Sequence, residues 1–303
     1  MFKAGSRGVE FRLDLSIVIV SYNTCNMLRD CLNALPAATQ GLVIETFVVD
    51  NNSPDDSAAM VAAEFPEVHL TAGKENYGFT KGNNIALRQV VGRNVLLLNP
   101  DTEAAPGSLT LMSRYLDTHP DVGAVGPKLL NTDGSLQPSG IPLPNPWRDL
   151  LAHTGLWRLK PGLSSHQWHY GREDFDREWE TDSVTGACLM TRKVILDQVG
   201  LLEEAFFMFY EEIELCWRIR RAGFKVMFLP EAQVVHHWMG SVRQQSKAMT
   251  RRLFQSMAIY YRKTMGWRGI ITYPIVWYGL GRNELLHLGV AVKRRLRAAK
   301  LIR

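Results

Sequence analysis

Glu211 and Glu212 stand side by side after an aromatic-rich run, Phe206-Phe207-Met208-Phe209-Tyr210. Carboxylates are favoured at a helix N-terminus, so a structural role is open to the pair. An apolar surround would also raise one carboxyl pKa and fit it for general-base work. Two more acids, Asp50 and Asp101, follow apolar runs that read as strands. A carboxylate at a strand end accepts hydrogen bonds from a ribose or a base imide, and it can hold a hard cation such as Mg²⁺ or Mn²⁺. His236 and His237 close another apolar run. One of them is a candidate metal ligand or diphosphate contact, with a satisfied core histidine as the competing reading. Asp55 and Asp56 are read only as caps of the helix after them.

These groups need a scaffold that gathers strand ends. Ser16-Ile17-Val18-Ile19-Val20, Phe47-Val48-Val49 and Val95-Leu96-Leu97-Leu98 are short β-branched or aliphatic runs of the kind buried inside a sheet. Leu28, Cys31, Leu32 and Leu35 recur at helical spacing, with Asn23 or Thr24 as the cap. Further strands are predicted over 122–130, 183–191, 224–229 and 233–236, and a helix over 211–221. Asn131-Thr132-Asp133-Gly134 reads as a hairpin turn. Alternating strands and helices predict an α/β fold, a mostly parallel central sheet with helices on both faces. In such sheets ligands bind at the carboxyl ends of the strands. Residues 131–182 are rich in proline and tryptophan and weakly periodic, and read as a long functional loop region. Trp157, Trp168 and Trp179 there are candidates for stacking on sugar rings, or for the core.

The chain has 303 residues, 46% hydrophobic and 21% charged, which excludes disorder or a coiled coil as its main character. Its four cysteines form no CxxC pair and read as reduced thiols. The first 30 residues lack an apolar run with a small-residue cleavage site, so no secretory signal is expected. Ser21-Tyr22-Asn23 stands where a dinucleotide fold would place GxGxxG, and no GxxxxGK[ST] occurs. Dehydrogenase and ATPase readings fall away, and a nucleotide's phosphates must be neutralised by a metal and side chains. Residues 241–303 carry 14 Lys/Arg and one acid, Glu284, a net +13; residues 1–240 carry 21 bases and 29 acids, a net −8. The apolar stretch 269–281 is 13 residues long and too short to span a bilayer. Residues 285–302 read as a basic amphipathic helix suited to an anionic membrane surface, with a solvated helix packed on the body as the competing reading.

The order of these segments resembles glycosyltransferase family 2, the inverting GT-A-fold sugar transferases, and within it the rhamnosyltransferase-like branch. The resemblance rests on residues 16–23, Val48-Val49-Asp50-Asn51-Asn52-Ser53, Asn76-Tyr77-Gly78-Phe79 with Asn83-Asn84, Leu97-Leu98-Asn99-Pro100-Asp101, Thr185-Gly186-Ala187, Glu211-Glu212, and residues 236–241. It covers roughly residues 15–245. It implies a GT-A catalytic domain over 1–245, Rossmann-like in its central sheet; the charge and apolar pattern of 246–303 reads separately as a helical, basic extension for which membrane association is one option.

The roles that follow are implied by the resemblance. Ser21, Asn23, Asp50, Asn52, Asn76, Gly78, Asn83, Asn99, Asp101 and Gly186 would contact the nucleotide sugar. Asn99-Pro100-Asp101 sits where the family carries its metal-binding DxD, with Asn99 in place of the first acid. Asp101 and His236 would hold Mg²⁺ or Mn²⁺. Glu212 matches the catalytic base, with Glu in place of the family's Asp and Glu211 as the competing candidate. The implied donor is dTDP-L-rhamnose, with a UDP-hexose or UDP-galactofuranose as the runner-up. The implied acceptor is a saccharide on polyprenyl diphosphate. The implied location is cytoplasmic, peripheral on the inner face of the cell membrane. No nucleic-acid partner is expected. A pyrophosphorylase would need a Gly-rich, basic loop after the first strand. A non-catalytic scaffold is disfavoured by intact Asp50, Asp101 and Glu212.

Overall fold

A computed structural model describes residues 13–149, 175–237, 246–274, 276–278 and 281. The predicted basic helix over 285–302, and Trp157 and Trp168, lie outside the described residues.

Strand β1 (Leu15–Ser21) is buried along its whole length, as an Ile/Val run without a polar break demands. After it come α1 (Cys25–Ala38), β2 (Ile44–Asp50), α2 (Ser57–Glu64), β3 (His69–Ala72), α3 (Gly78–Leu87) and β4 (Asn94–Leu98). The order β3-β2-β1-β4 is parallel throughout. Alternate β1 residues serve opposite faces, the strand period of two. Leu15, Ile17 and Ile19 pack with Leu28, Cys31, Leu32 and Leu35 of α1. Val18 and Val20 pack with Ala86 and Leu87 of α3.

The second half adds β5 (Thr102–Ala104), α4 (Ser108–Thr118), β6 (Val122–Leu130), β7 (Leu136–Gln137), β8 (Gly140–Ile141), β9 (Trp179–Thr181), β10 (Ser183–Val184), β11 (Cys188–Arg192), α5 (Lys193–Val199), α6 (Glu211–Arg221) and β12 (Lys225–His236). The sheet order is β3-β2-β1-β4-β11-β6-β12-β5, and six of those eight strands point the same way. Strand β11 runs antiparallel between β4 and β6, with Cys188 opposite Leu98. That reversal brings Thr185-Gly186-Ala187, just before β11, to the edge where β1, β2 and β4 end.

Two expectations are corrected. The strand predicted over 183–191 is two strands, β10 and β11, broken at residues 185–187. The two strands predicted over 224–229 and 233–236 are one, β12. Its pairing with β6 shifts register between Leu229 and Gln233, around Pro230. Proline supplies no ladder N–H, so the strand accommodates it as an irregularity instead of ending. The predicted hairpin turn forms between β6 and β7, with Gly134 at φ 79°.

Helix α7 (Ser246–Met265) crosses the loop that precedes α6. Phe254, Met257, Tyr260 and Tyr261 bury against Phe206, Tyr210 and Ile213. Lys263 adds an ion pair to the fully buried Glu214 at 3.1 Å. Among the described residues no helix is long and apolar enough to cross a membrane.

Candidate active site

At the end of β2, Asp50 is 3% exposed; its Oδ2 accepts the Ser53 N–H at 3.0 Å, and its Oδ1 has no hydrogen-bond partner. The next side chain, Asn51, donates Nδ2 to Gly78 O at 3.0 Å and leaves its Oδ1 unpartnered. Asn76 Oδ1 accepts the Gly78 N–H at 2.9 Å. Thr24 is the N-cap residue of α1, but its hydroxyl makes no cap bond and pairs instead with the Ser21 hydroxyl at 2.9 Å. The Cys25 N–H of that helix goes to Asp55 Oδ2 at 3.0 Å, and Asp55 Oδ1 also accepts from Ser57 at the start of α2. Asp55 thus secures two helix starts. Burial favours its neutral form, but these bonds hold its carboxyl below the usual range.

Beyond β4, Asn99 N donates to Ala187 O at 2.9 Å, tying the turn to the segment before β11. The turn is buttressed from below by Thr102 Oγ1, which donates to Asn99 O at 2.7 Å. His236, at the end of β12, places Nε2 3.3 Å from Asp101 Oδ1 and 3.4 Å from Asn99 Nδ2. Its Nδ1 lies 2.6 Å from Gln137 Oε1. Nδ1 thus faces the amide oxygen, and Nε2 is the ring nitrogen that faces Asp101. A carboxylate and an imidazole lone pair facing one point are a donor set for a divalent cation. No group of three His, Cys, Asp or Glu among the described residues could hold a metal ion. The remaining ligands would have to come from the substrate, as phosphate oxygens do for Mg²⁺. His237 turns away and pairs with Glu103 at 2.5 Å.

The two glutamates open α6 on an unusual backbone. Phe209 and Tyr210 both lie at φ 70°, in the left-handed region that costs a bulky residue about 1–2 kcal/mol. This double turn swings the first helical carboxylates toward the strand ends. Glu211 is 4% exposed, and burial, then the charge of Glu212, pushes its pKa well above the usual carboxylate range. Glu212 is half-buried, and burial raises its pKa too, opposed by backbone hydrogen bonds that include one from Gly186. Each keeps a buried Oε2 without a partner.

One cleft gathers these groups. Asn76, Gly78, Asn99, Asp101, Gly186, Glu211, Glu212 and His236 all line it. Ser21, Asn23, Asp50, Asn52 and Asn83 are not among the lining residues; Asp50 adjoins the lining residue Asn51 in the chain. Asn83 turns its amide onto Phe79 O, within its own helix, at 2.9 Å. Asn23 and Asn52, at φ 57°, shape the two loops, joined where Asn23 N donates to Ser53 Oγ at 2.9 Å. Trp179 is half-buried against Phe228 and Phe175 and does not line the cleft. The sequence reading missed Tyr22, Thr185, Met208, Phe209 and Met249 in the lining, and Gln137 behind His236. The Phe-rich run was a signal for Met208 and Phe209; nothing singled out Gln137 or Met249.

Comparison with known proteins bears on the family and the fold. The chain is 27% identical over 309 residues to an N-acetylglucosaminyl-diphospho-decaprenol L-rhamnosyltransferase of Mycobacterium tuberculosis, spanning 95% of this chain and 97% of that one. A mannosyltransferase from Pyrobaculum calidifontis, solved in complex with GDP-Man and Mn²⁺, superposes with a TM-score of 0.56 at 18% identity, over 96% of this chain and 79% of that one. S. aureus TarS in complex with UDP-GlcNAc gives 0.56 at 16% identity, over 84% of this chain and 67% of that one. These neighbours share the GT-A fold. The model of Glycosyl transferase family 2 matches residues 16–200, and the chain belongs to that family.

Proposed function

We propose that this glycosyltransferase inverts configuration as it moves L-rhamnose from dTDP-L-rhamnose to a saccharide carried on polyprenyl diphosphate, in cell-surface polysaccharide synthesis. The observation that carries the reading is the half-buried Glu212 carboxylate, which lines the same cleft as Asp101, Asn99 and His236. The rhamnosyl donor and the lipid-linked acceptor are supported by the mycobacterial relative, alike over nearly the full length of both chains.

Asn51 lines the cleft, and with Asp50 beside it this end of β2 would contact the base and ribose of the donor. Glu212 takes the proton of the acceptor hydroxyl, its basicity raised by burial. The oxygen attacks the anomeric carbon on the face opposite the nucleoside diphosphate, which leaves with the bonding electrons. Asp101 and His236 would hold Mg²⁺ or Mn²⁺, which when bound offsets the charge growing on the leaving diphosphate. Met208, Phe209 and Met249 line the cleft with apolar surface and limit water at the reacting carbon. Peripheral membrane association is supported by Trp267, Ile270 and Trp277, which are exposed beyond α7, and by the surplus of 14 bases over one acid in residues 241–303.

A panel of nucleotide sugars tests the donor. Sugar release or transfer, with Mn²⁺ or Mg²⁺ and with EDTA, is expected to be fastest with dTDP-L-rhamnose and lost on chelation. Preference for a UDP-hexose or UDP-galactofuranose overturns the rhamnosyl reading. Full activity in EDTA overturns the metal.

A further inference from the structure

A second concavity opens beside the cleft, with a volume of about 410 Å³, within the range of ligand pockets. Ala205 and Phe207 form one wall, Arg252, Gln255 and Ile259 of α7 the other, and Val276 the floor. Cleft and groove share a single loop. Met208 and Phe209 face the cleft, while Ala205 and Phe207 face the groove. They also share one stripe of α7. Met249, Arg252, Gln255 with Ser256, and Ile259 recur at helical spacing, with Met249 in the cleft and the others in the groove. At 1.5 Å per residue the stripe runs about 15 Å away from the cleft. Ser256 Oγ donates to Met208 O at 2.8 Å and fixes helix to loop.

The groove is apolar along its length and cationic at the end nearer the cleft. The Arg252 guanidinium lies over the Phe207 ring, 3.3 Å from its centre, and is only partly exposed. Among the described residues no carboxylate pairs with it. A half-desolvated cation beside apolar walls is satisfied by an anion that carries a hydrocarbon chain. Beyond Val276 the surface continues into the exposed Trp277 and Tyr278, side chains suited to a membrane interface.

We infer that this groove is the subsite for the prenyl diphosphate of the acceptor, with Arg252 on the phosphate and Phe207, Ile259 and Val276 on the first isoprene units. The inference rests on the lipid-linked acceptor proposed above and assigns it a place. The saccharide end would then reach Glu212 past Met249, while the prenyl chain leaves toward the aromatic surface.

The test is calorimetric titration of the full chain with farnesyl diphosphate, with the donor site filled by saturating nucleoside diphosphate and Mn²⁺. Inorganic diphosphate and farnesol are titrated separately. Farnesyl diphosphate is expected to bind at least tenfold more tightly than either. Arg252→Ala should weaken it tenfold or more. Gln255→Glu, at an exposed position with little risk to folding, should weaken it by repulsion. Nucleoside diphosphate binding should be unchanged in both variants. The inference is overturned if both variants bind farnesyl diphosphate like the wild type, or if inorganic diphosphate binds equally well. Failure of the wild type to bind nucleoside diphosphate would instead sink the donor reading, and the two variants would still decide the groove.

Discussion

His236 Nδ1 lies 2.6 Å from Gln137 Oε1, so a residue of the short strand β7 orients a ring at the far end of β12. Strand β6 pairs with both, which makes the contact a property of the sheet and not of a mobile loop. The bond decides which imidazole nitrogen faces Asp101. Partners of this kind typically contribute 10–100-fold to metal affinity or activity. Gln137→Ala is therefore expected to weaken Mn²⁺ binding by about that factor while the protein stays folded. Mn²⁺ titration in the presence of nucleoside diphosphate measures it, and unchanged affinity would remove His236 from the metal site.

Glu212 is the more accessible of the two adjacent carboxylates and the one held by the Gly186 N–H. Glu212→Gln keeps the shape and removes the basicity. A general base typically contributes about 10²–10⁴ in rate. We expect kcat to fall by that factor with the donor Kd unchanged. In the wild type, kcat/KM should rise with pH through a pKa above the ordinary 4.5, because the base must lose a proton and burial resists its charge. Full activity in Glu212→Gln would transfer the role to Glu211.

Much of this was legible before any coordinates. Strands β1, β2 and β4 carry short buried runs rich in Val, Ile and Leu, bounded by turn residues, the pattern of strands inside a sheet. Helix α6 begins and ends where its apolar spacing and acidic start place it. Helix α3 gave no such signal. Its sequence, Gly78-Phe79-Thr80-Lys81-Gly82-Asn83-Asn84, is poor in helix formers, and packing on β1 and β2 overrides that propensity. The cleft was legible where a carboxylate or imidazole follows a buried strand or opens a helix, as at Asp101, His236 and Glu212, which all line it. It was not legible where the asparagines serve the backbone, as at Asn23, Asn52 and Asn83, because residue type does not tell a ligand contact from a turn. Gln137 and Met249 were invisible because only the folded sheet and α7 bring them near.

Glu211 carries a cost that the fold sustains. Its burial, with the Glu212 charge beside it, raises its pKa well above the ordinary 4.5. The folded state therefore holds this proton more tightly than the unfolded chain does. The stability this adds is fully present below about pH 4.5 and is lost as the pH rises through the raised value. Glu211→Gln cannot ionise and should be more stable than the wild type at pH 8, with the advantage shrinking toward pH 5. In a domain of this size each kcal/mol is worth about 2–4 °C in Tm. Thermal denaturation of both proteins from pH 5 to 8 gives the comparison. A wild type whose Tm does not fall relative to the variant would mean that Glu211 is charged and solvated.

Gly78 joins the nucleotide side of the cleft to the glutamate side. It sits at φ 79°, and a Cβ there would come within 2.6 Å of both Phe207 O and the Phe207 ring. The same Phe207 O accepts the Phe79 N–H at 2.8 Å, so the loop before α6 is seated directly on this glycine. Alanine would have to adopt left-handed backbone, at about 1–2 kcal/mol, and push the loop away, at about 1–3 kcal/mol more. Displacing Phe207 moves Phe209 and Tyr210, whose left-handed turn aims Glu211 and Glu212. Gly78→Ala should thus lower Tm and cut kcat by at least tenfold, although it deletes no catalytic group. Assaying kcat well below the variant's own Tm separates the two effects. Wild-type kcat in the folded variant would show that the glutamates keep their aim without the Gly78–Phe207 contact.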